Sequence, residues 1–504
     1  MFFKLHSAAV VGLECGPVEV EVDIHKGQTH FAIVGLADMA IKEAKDRIYS
    51  AMKNSGFSYP FNFRILVNLA PADTNKEGPA YDLPMAVGII ALSNDLAIDA
   101  DDAMLVGELA LDGAVRHVAG VLPLALYAKA RGWSRLFVPE ADAPEAALAQ
   151  GPTVYPVKSL SQIIHHLVGG ESIAPYTQPI DWSEDAAEIG ELDMAYIKGQ
   201  EFAKRALEIA ASGGHNVLMS GPPGSGKTML ARTLPSILPR LTLNEALEVT
   251  KIYSVAGLLK SSFIKTRPFR APHHTASGVA LVGGGRLPRP GEITLSHRGV
   301  LFLDEFPEFP RFVMESLRQP LEDGIITVSR AQGTITFPAR FILVASQNPC
   351  PCGYASDPDQ RCVCTPLQLV RYQKKISGPL LDRIDLNIEV PRVEFEKLSA
   401  RELGEPSVDI RERVERARVI QSERFQNSVI HTNSEMRAAD MRAHCQLGSD
   451  SSALLKEAVV NLHLSARAYN RILKVSRTIA DLATSERIEL PHIAEALQFR
   501  PRAE

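Results

Sequence analysis

The sequence predicts an α/β protein: a parallel-sheet core followed by a helical C-terminal part and preceded by a compact α+β domain. Three observations carry that expectation. Between residues 195 and 392, short apolar runs (Val217 to Met219, Val300 to Leu303, Phe341 to Ala345) alternate with helical stretches, the pattern of a parallel sheet covered by helices. Before residue 168, β-rich runs (Val18 to Val22, His30 to Val34, Phe63 to Leu69) mix with an apolar helical stretch from Leu83 to Leu92. After Pro391 the chain turns charged and helical, with Leu454, Leu455, Ala458, Val459 and Leu462 at helical spacing.

Taken in order, residues 1–168 form the first expected domain. Residues 169–194, polar and acidic with Pro175, Pro179, Asp181, Glu184 and Asp185, read as a linker. Residues 195–392 form the core. Residues 393–504 form a helical lid, with a second helix from about Ser465 to Ala483 and a last one starting at Pro491, a residue suited to a first turn. A chain of 504 residues needs more than one core, and 45% hydrophobic with 22% charged residues is ordinary globular composition, which excludes a disordered protein. A net charge of −5 gives no global attraction to nucleic acid, so DNA contact would need local basic patches or a ring that concentrates them. The start, Met1-Phe-Phe-Lys-Leu-His, has no signal-peptide apolar region, and no run of ~18 apolar residues occurs; a cytoplasmic protein without a membrane partner is expected.

The chemistry starts at the strand ending near Met219. Gly221, Pro222, Pro223, Gly224, Ser225, Gly226, Lys227 and Thr228 follow it and open a helix, matching G-x-x-x-x-G-K-[ST] in the context that motif needs. Glycines let the loop wrap a phosphate with backbone N–H groups at the positive end of a helix. Lys227 would reach the β- and γ-phosphates of ATP, and the Thr228 hydroxyl would take a position on Mg²⁺. A later apolar strand, Gly299 to Leu303, ends in Asp304 and Glu305. Asp304 would hold Mg²⁺ and Glu305 would polarise the attacking water. Another, Phe341 to Gln347, ends in the amide of Asn348, which can orient the same water.

In this order the segments resemble the AAA+ ATPases, and the resemblance supplies further roles. Asn348 takes the place of the first sensor. Pro379-Leu-Leu-Asp-Arg-Ile-Asp385 is similar to the arginine-finger segment, which makes Arg383 a catalytic residue acting on a neighbouring subunit and implies a hexameric ring. Leu464-Ser-Ala-Arg-Ala468 is similar to the second sensor, giving Arg467 a contact to bound nucleotide, and Ile197-Lys-Gly-Gln200 stands where such ATPases contact adenine. Taken alone, Arg383 and Arg467 would each read as surface ion pairs; both assignments rest on the family frame.

Two insertions narrow the family. Gly324 to Phe337 alternates as two strands around a polar tip at Arg330 to Gly333, a hairpin pattern. Thr266 to Thr275 and Gly283 to Gly291 form a second insertion rich in arginine, glycine and proline. With Leu317-Arg-Gln-Pro-Leu-Glu-Asp323, these strings resemble the magnesium-chelatase-like proteins of the ComM/YifB type along essentially the whole chain. Arg267, Arg270, Arg286, Arg289 and Arg330 are either loop charges in water or, in the reading favoured here, pore residues gripping DNA phosphates. His273 and His274, adjacent and without ligand-spaced partners, suit phosphate contact or packing rather than a metal.

Of six cysteines, four stand together as Cys350, Cys352, Cys362 and Cys364, directly after Asn348. In a reducing cytoplasm two close pairs suit tetrahedral Zn²⁺ better than disulfides, with reduced thiols as the alternative. Cys15 and Cys445 stand alone and read as packing residues.

Lys76 to Asp82 and Gly113 to Pro123 resemble the Lon protease domain, a ribosomal S5-like fold. At the positions of its catalytic serine and lysine stand Ala80 and Leu122, which lack the hydroxyl and the base that chemistry requires. An assembly or DNA-contacting role remains for this domain, with Lys76 and Arg116 as candidate contacts or plain surface charge. The whole resemblance implies an ATP-driven hexameric DNA motor, a branch-migration helicase for integrating DNA by homologous recombination in natural transformation. Its partners would be single-stranded and branched DNA and recombination proteins. The alternatives are a magnesium-chelatase motor subunit, against which the Lon-like domain and the cysteine cluster count, and a nucleotide-dependent DNA or protein scaffold.

Overall fold

The computed structural model describes residues 2–36, 38–73, 76, 78–179, 192–285, 288–330, 333–355, 357, 360–399, 402–426, 428 and 430–500. It divides into two compact units, Met1–Trp182 with Leu243–Ile264, and Ser183–Thr242 with Lys265–Glu504.

The first unit is built on a seven-stranded mixed sheet in the order His30–Val34, Phe63–Ala70, Glu14–Lys26, Phe2–Val11, Ala103–Leu105, Arg135–Pro139, Thr153–Val157. In Glu14–Lys26 the buried residues Val18, Val20, Val22 and Ile24 recur at the period of two that puts one strand face inward. Helix Asp82–Ser93 is buried from Asp82 through Ala91, which its lack of a polar face requires. Gly88 lets it close on the sheet, since a Cβ there would stand 2.7 Å from Val22 Cγ2. At its start Arg47 donates to the Asp82 carboxylate at 2.6 and 3.0 Å.

Leu243–Ile264, inside the span expected for the ATPase core, belongs to this first unit. Helix Leu243–Ala256 buries Ala246, Val249 and Ile252, and Ser254 Oγ donates to buried Glu145 at 2.5 Å. Within the expected linker, Ile173 is buried and Tyr176 N donates to Val154 O at 2.9 Å, so the chain stays attached to the first unit that far; residues 180–191 lie outside the described residues. Lys76, read as a surface or DNA-contacting charge, is instead buried, its ammonium donating to Pro71 O. Arg116 is exposed, 3.9 Å from Glu108.

The second unit holds a five-stranded all-parallel sheet in the order Phe269–Arg270, Val300–Leu303, Ile342–Gln347, Val217–Ser220, Leu386–Glu389. Ser407–Arg424, Ala438–His444, Ser449–Asn461, Ala466–Leu482 and Leu490–Gln498 make the helical C-terminal region. Ser465 caps its helix by accepting from Ala468 N at 3.2 Å, and Pro491 falls in the first turn of the last one. Ile472, Val475 and Ile479 share one apolar core with Ala206, Leu207 and Ile209 of helix Glu201–Gly213. Buried Asp481 accepts from Arg424, Asn433 and Arg477, which compensates its lost hydration. His215 bridges Asp385 and Thr478 at 3.3 and 2.8 Å, tying the sheet to the helices. The expected class therefore holds as a mixed α/β first unit, a parallel five-stranded core consistent with an AAA+ domain, and a helical C-terminal region. Among the described residues no helix is long and apolar enough to cross a membrane.

Candidate nucleotide site

Strand Val217–Ser220 lies between Ile342–Gln347 and Leu386–Glu389, and the loop that follows it sits at the carboxyl ends of the parallel strands, where α/β sheets bind ligands. Gly224 (φ 77°) and Gly226 (φ 92°) occupy left-handed backbone that other residues enter at a cost. Gly221 packs so closely that a Cβ would stand 2.1 Å from Val390 O. Lys227 opens helix Lys227–Ile237 and is 8% exposed. Its Nζ donates to Gly221 O at 2.7 Å and Pro222 O at 2.9 Å, and lies 3.4 Å from Asn348 Oδ1. Burial pulls this ammonium below its ordinary pKa, and Asp304 opposes the shift.

The Thr228 hydroxyl donates to Asp304 Oδ2 at 2.9 Å; Ser346 Oγ and, at 3.1 Å, the Glu305 N–H donate to Asp304 Oδ1. Glu305 has φ 52° and ψ 45°, a left-handed conformation that costs a β-carbon-bearing residue about 1–2 kcal/mol and turns the chain sharply off the strand. His274 Nδ1 lies 3.2 Å from Glu305 Oε2, and the His273 and His274 rings are 4.2 Å apart. Neither Ser346 nor the His274 contact was legible as part of the site. Ser346 stands two residues before Asn348 in a strand whose alternation gives it no mark, and His274 meets Glu305 only through the fold.

A cavity of about 430 Å³ is lined by Pro223 to Met229, Asp304, Glu305, Ser346, Gln347 and Asn348. Ile197, Arg383 and Arg467 are not in that lining. Ile197 is buried, and Gln200, at φ 61°, donates to Pro391 O at 2.6 Å. Arg467 is exposed and pairs with Asp382 at 3.3 Å. Arg383 donates to Pro379 O at 2.6 Å and to the Glu322 carboxylate.

The four cysteine sulfurs lie within 4.8 Å of one another. Cys350 to Cys352, Cys350 to Cys362 and Cys352 to Cys362 measure 3.3, 3.7 and 3.6 Å, close to the ~3.8 Å edge of a tetrahedron of thiolates around zinc. Backbone N–H groups of Tyr354 and Val363 pull the Cys352 thiol down to about 6, while burial and the neighbouring thiols push Cys364 up to about 12, so one thiol of the cluster ionises first and the others need a metal's charge to follow. This donor set fits Zn²⁺. Gly353, in the same loop, abuts the phosphate loop: a Cβ on it would stand 2.7 Å from Pro223 Cδ. Cys15 and Cys445 are packing residues, their thiols pushed up by burial to about 12 and about 11.

Of the arginines read as pore contacts, Arg267 donates to Pro239 O (2.5 Å), Arg298 O (2.7 Å) and Arg240 O (3.2 Å). Arg270 forms a two-pronged pair with Glu292, both arms 2.6 Å. Both guanidinium groups thus have partners within the chain, in the carbonyls of Pro239, Arg240 and Arg298 and in the Glu292 carboxylate. Arg289 is exposed in strand Arg289–Pro290; Arg286 and the side chain of Arg330 lie outside the described residues. Strands Ile325–Arg330 and Gly333–Pro338 form the expected hairpin, antiparallel with Thr327 opposite Thr336. In the first unit Leu122 is buried and its N–H donates to Glu145 at 2.6 Å.

Family models described as "Magnesium chelatase, subunit ChlI", "Subunit ChlI of Mg-chelatase" and "Magnesium chelatase, subunit ChlI C-terminal" match residues 193–398, 20–142 and 404–500. The chain is 45% identical over 502 residues to competence protein ComM of Haemophilus influenzae, covering 98% of this chain and 97% of that one. It is 43% identical over 500 residues to the uncharacterized protein YifB of Escherichia coli, covering 98% and 96%. The magnesium-chelatase 38 kDa subunit of Cereibacter sphaeroides is 28% identical over 171 residues, 30% of this chain and 51% of that one. A chelatase-subunit model matching residues 20–142 removes the first domain as an argument against a chelatase role.

Proposed function

The chain belongs to the ComM/YifB family of magnesium-chelatase-like ATPases, and on that premise we propose that it is an ATP-driven hexameric DNA motor, a branch-migration helicase promoting DNA integration by homologous recombination in natural transformation. The observation that carries the reading is the gathering of Lys227, Thr228, Asp304, Glu305 and Asn348 from three strand ends around one cavity, in a chain similar nearly end to end to a protein named for competence.

The family implies ATP and Mg²⁺. The hydroxyl and carboxylate of Thr228 and Asp304, 2.9 Å apart, are hard oxygen donors that fit Mg²⁺, which would neutralise charge on the phosphates. Lys227 and the N–H groups of the loop bind the β- and γ-phosphates, and Ser346 keeps Asp304 oriented. Glu305 takes the proton of the attacking water once His274 yields its carboxylate, and the Asn348 amide aligns that water. Arg383 completes the site from a neighbouring subunit, and Arg467 leaves Asp382 to reach the nucleotide, with Ile197 beside the adenine. Arg289, with Arg286 and Arg330, contacts DNA phosphates at the pore, while Arg267 and Arg270 hold the insertion in shape. The four thiolates hold a structural zinc, as suits a reducing cytoplasm. The first unit keeps a Lon-like fold without Lon chemistry, since Ala80 and Leu122 provide neither nucleophile nor base.

The chelatase-subunit models favour a second reading, a motor acting on a separate chelatase. One experiment separates the two: ATPase rate with and without single-stranded and branched DNA, beside strand displacement on a synthetic four-way junction. DNA-stimulated hydrolysis with junction unwinding is expected. DNA-independent turnover without unwinding overturns the motor.

A further inference from the structure

Helix Arg318–Asp323 stands between the hairpin and Arg383 and touches both. Gln319 binds the first hairpin strand twice: its Oε1 accepts from Thr327 N at 3.2 Å and its Nε2 donates to Thr327 Oγ1 at 3.1 Å. Glu322, three residues on and therefore on the same helix face, accepts from Arg383 Nη2. The helix ends at Gly324 (φ 68°), whose carbonyl accepts from Ala339 N at 2.8 Å, so the base of the hairpin is fastened to the helix on both strands. Arg383 itself is only 14% exposed, while Glu322 is 61% exposed.

We propose that Glu322 is a positioning residue that keeps Arg383 within its own subunit until a load on the hairpin Ile325–Pro338, carried through Thr327 and Gln319, shifts the helix and frees the guanidinium for the neighbouring site. This rests on reading Arg383 as the finger acting in trans and the hairpin as a DNA grip. The magnitudes suit a catch that opens under load. An ion pair with one exposed partner shifts an equilibrium by less than about tenfold, whereas a trans finger is worth ~10³-fold or more in hydrolysis. Arg383 holds the Glu322 carboxyl below the usual carboxylate range, so the catch stays charged at neutral pH.

The test measures ATP hydrolysis by the full-length protein with and without a single-stranded oligonucleotide. Glu322→Gln should raise the DNA-free rate by about fivefold and bring DNA stimulation close to one. Gln319→Leu should keep the DNA-free rate of wild type and lose the stimulation, a split that simple destabilisation of the helix does not produce. Glu322→Gln with wild-type stimulation, or falling in both conditions as Arg383→Ala does, overturns the catch. Gln319→Leu with full stimulation overturns the relay. A fully active Arg383→Ala, or a wild type indifferent to DNA, overturns the functional reading beneath it; an inactive Arg383→Ala beside an unchanged Glu322→Gln removes only this inference.

Discussion

Asp304 receives donors from Thr228, Ser346 and the Glu305 N–H, leaving little freedom in its carboxylate plane. A hydrogen bond to a charged group is worth about 1.5–3 kcal/mol, so Ser346→Ala should lower kcat about tenfold or more, measured at saturating ATP. Wild-type turnover would remove Ser346 from the site. Glu305→Gln should keep nucleotide affinity while hydrolysis falls by roughly 10²–10⁴, checked by equilibrium binding beside single turnover. In the first unit, burial outweighs the Arg47 guanidinium and pushes the Asp82 carboxyl up to about 6. The folded state then holds a proton that the unfolded chain, near 3.8, has released, so this contribution to stability is full below about 4 and is lost as pH rises through about 6. Thermal unfolding of wild type against Asp82→Asn between pH 4 and 7 should show that loss, up to about 3 kcal/mol, in wild type alone. Parallel pH profiles for the two proteins would refute it.

At the scale of elements, the four-cysteine loop ties the end of strand Ile342–Gln347 to the phosphate loop through Gly353 against Pro223. Purified without chelator, the protein should carry one zinc per chain, and Cys350→Ser with Cys352→Ser should remove it. Unfolding, followed by calorimetry, should then fall by about 5 °C or more. A metal-free wild type with the same midpoint as the variant would end the zinc assignment. This cluster was legible because its ligand spacing is local, as were the phosphate loop between strand and helix and the alternating hairpin. What escaped the sequence depends on distant partners. The apolar stripe of Leu243–Ala256 says that the helix is covered but not that Glu145 and Gly120 of the first unit cover it. Arg270 reads as a free cation until Glu292 meets it, and Lys76 as a surface charge until the chain folds over it.

At the scale of the whole molecule, charge decides whether one chain can complete the site. Among the residues lining the cavity Lys227 is the one cation, and Asp304 and Glu305 already face it. A triphosphate adds several negative charges, of which Mg²⁺ at Thr228 and Asp304 would offset a part, and an arginine beside the γ-phosphoryl group would further stabilise the charge developing in hydrolysis. Under the function proposed above, Arg383 of a second copy supplies that arginine, once its contacts to Glu322 and Pro379 in its own chain give way. Mixing then gives a direct prediction. Lys227→Ala subunits keep the finger without a working site, and Arg383→Ala subunits keep the site without a finger, so each protein alone should be inactive. In randomly mixed rings at equal amounts, about a quarter of the head-to-tail interfaces pair an intact site with an intact finger, and about a quarter of the wild-type ATPase rate should return on mixing. A mixture as inactive as its parents, although size measurements show that the subunits exchange, would mean that each chain completes its own site.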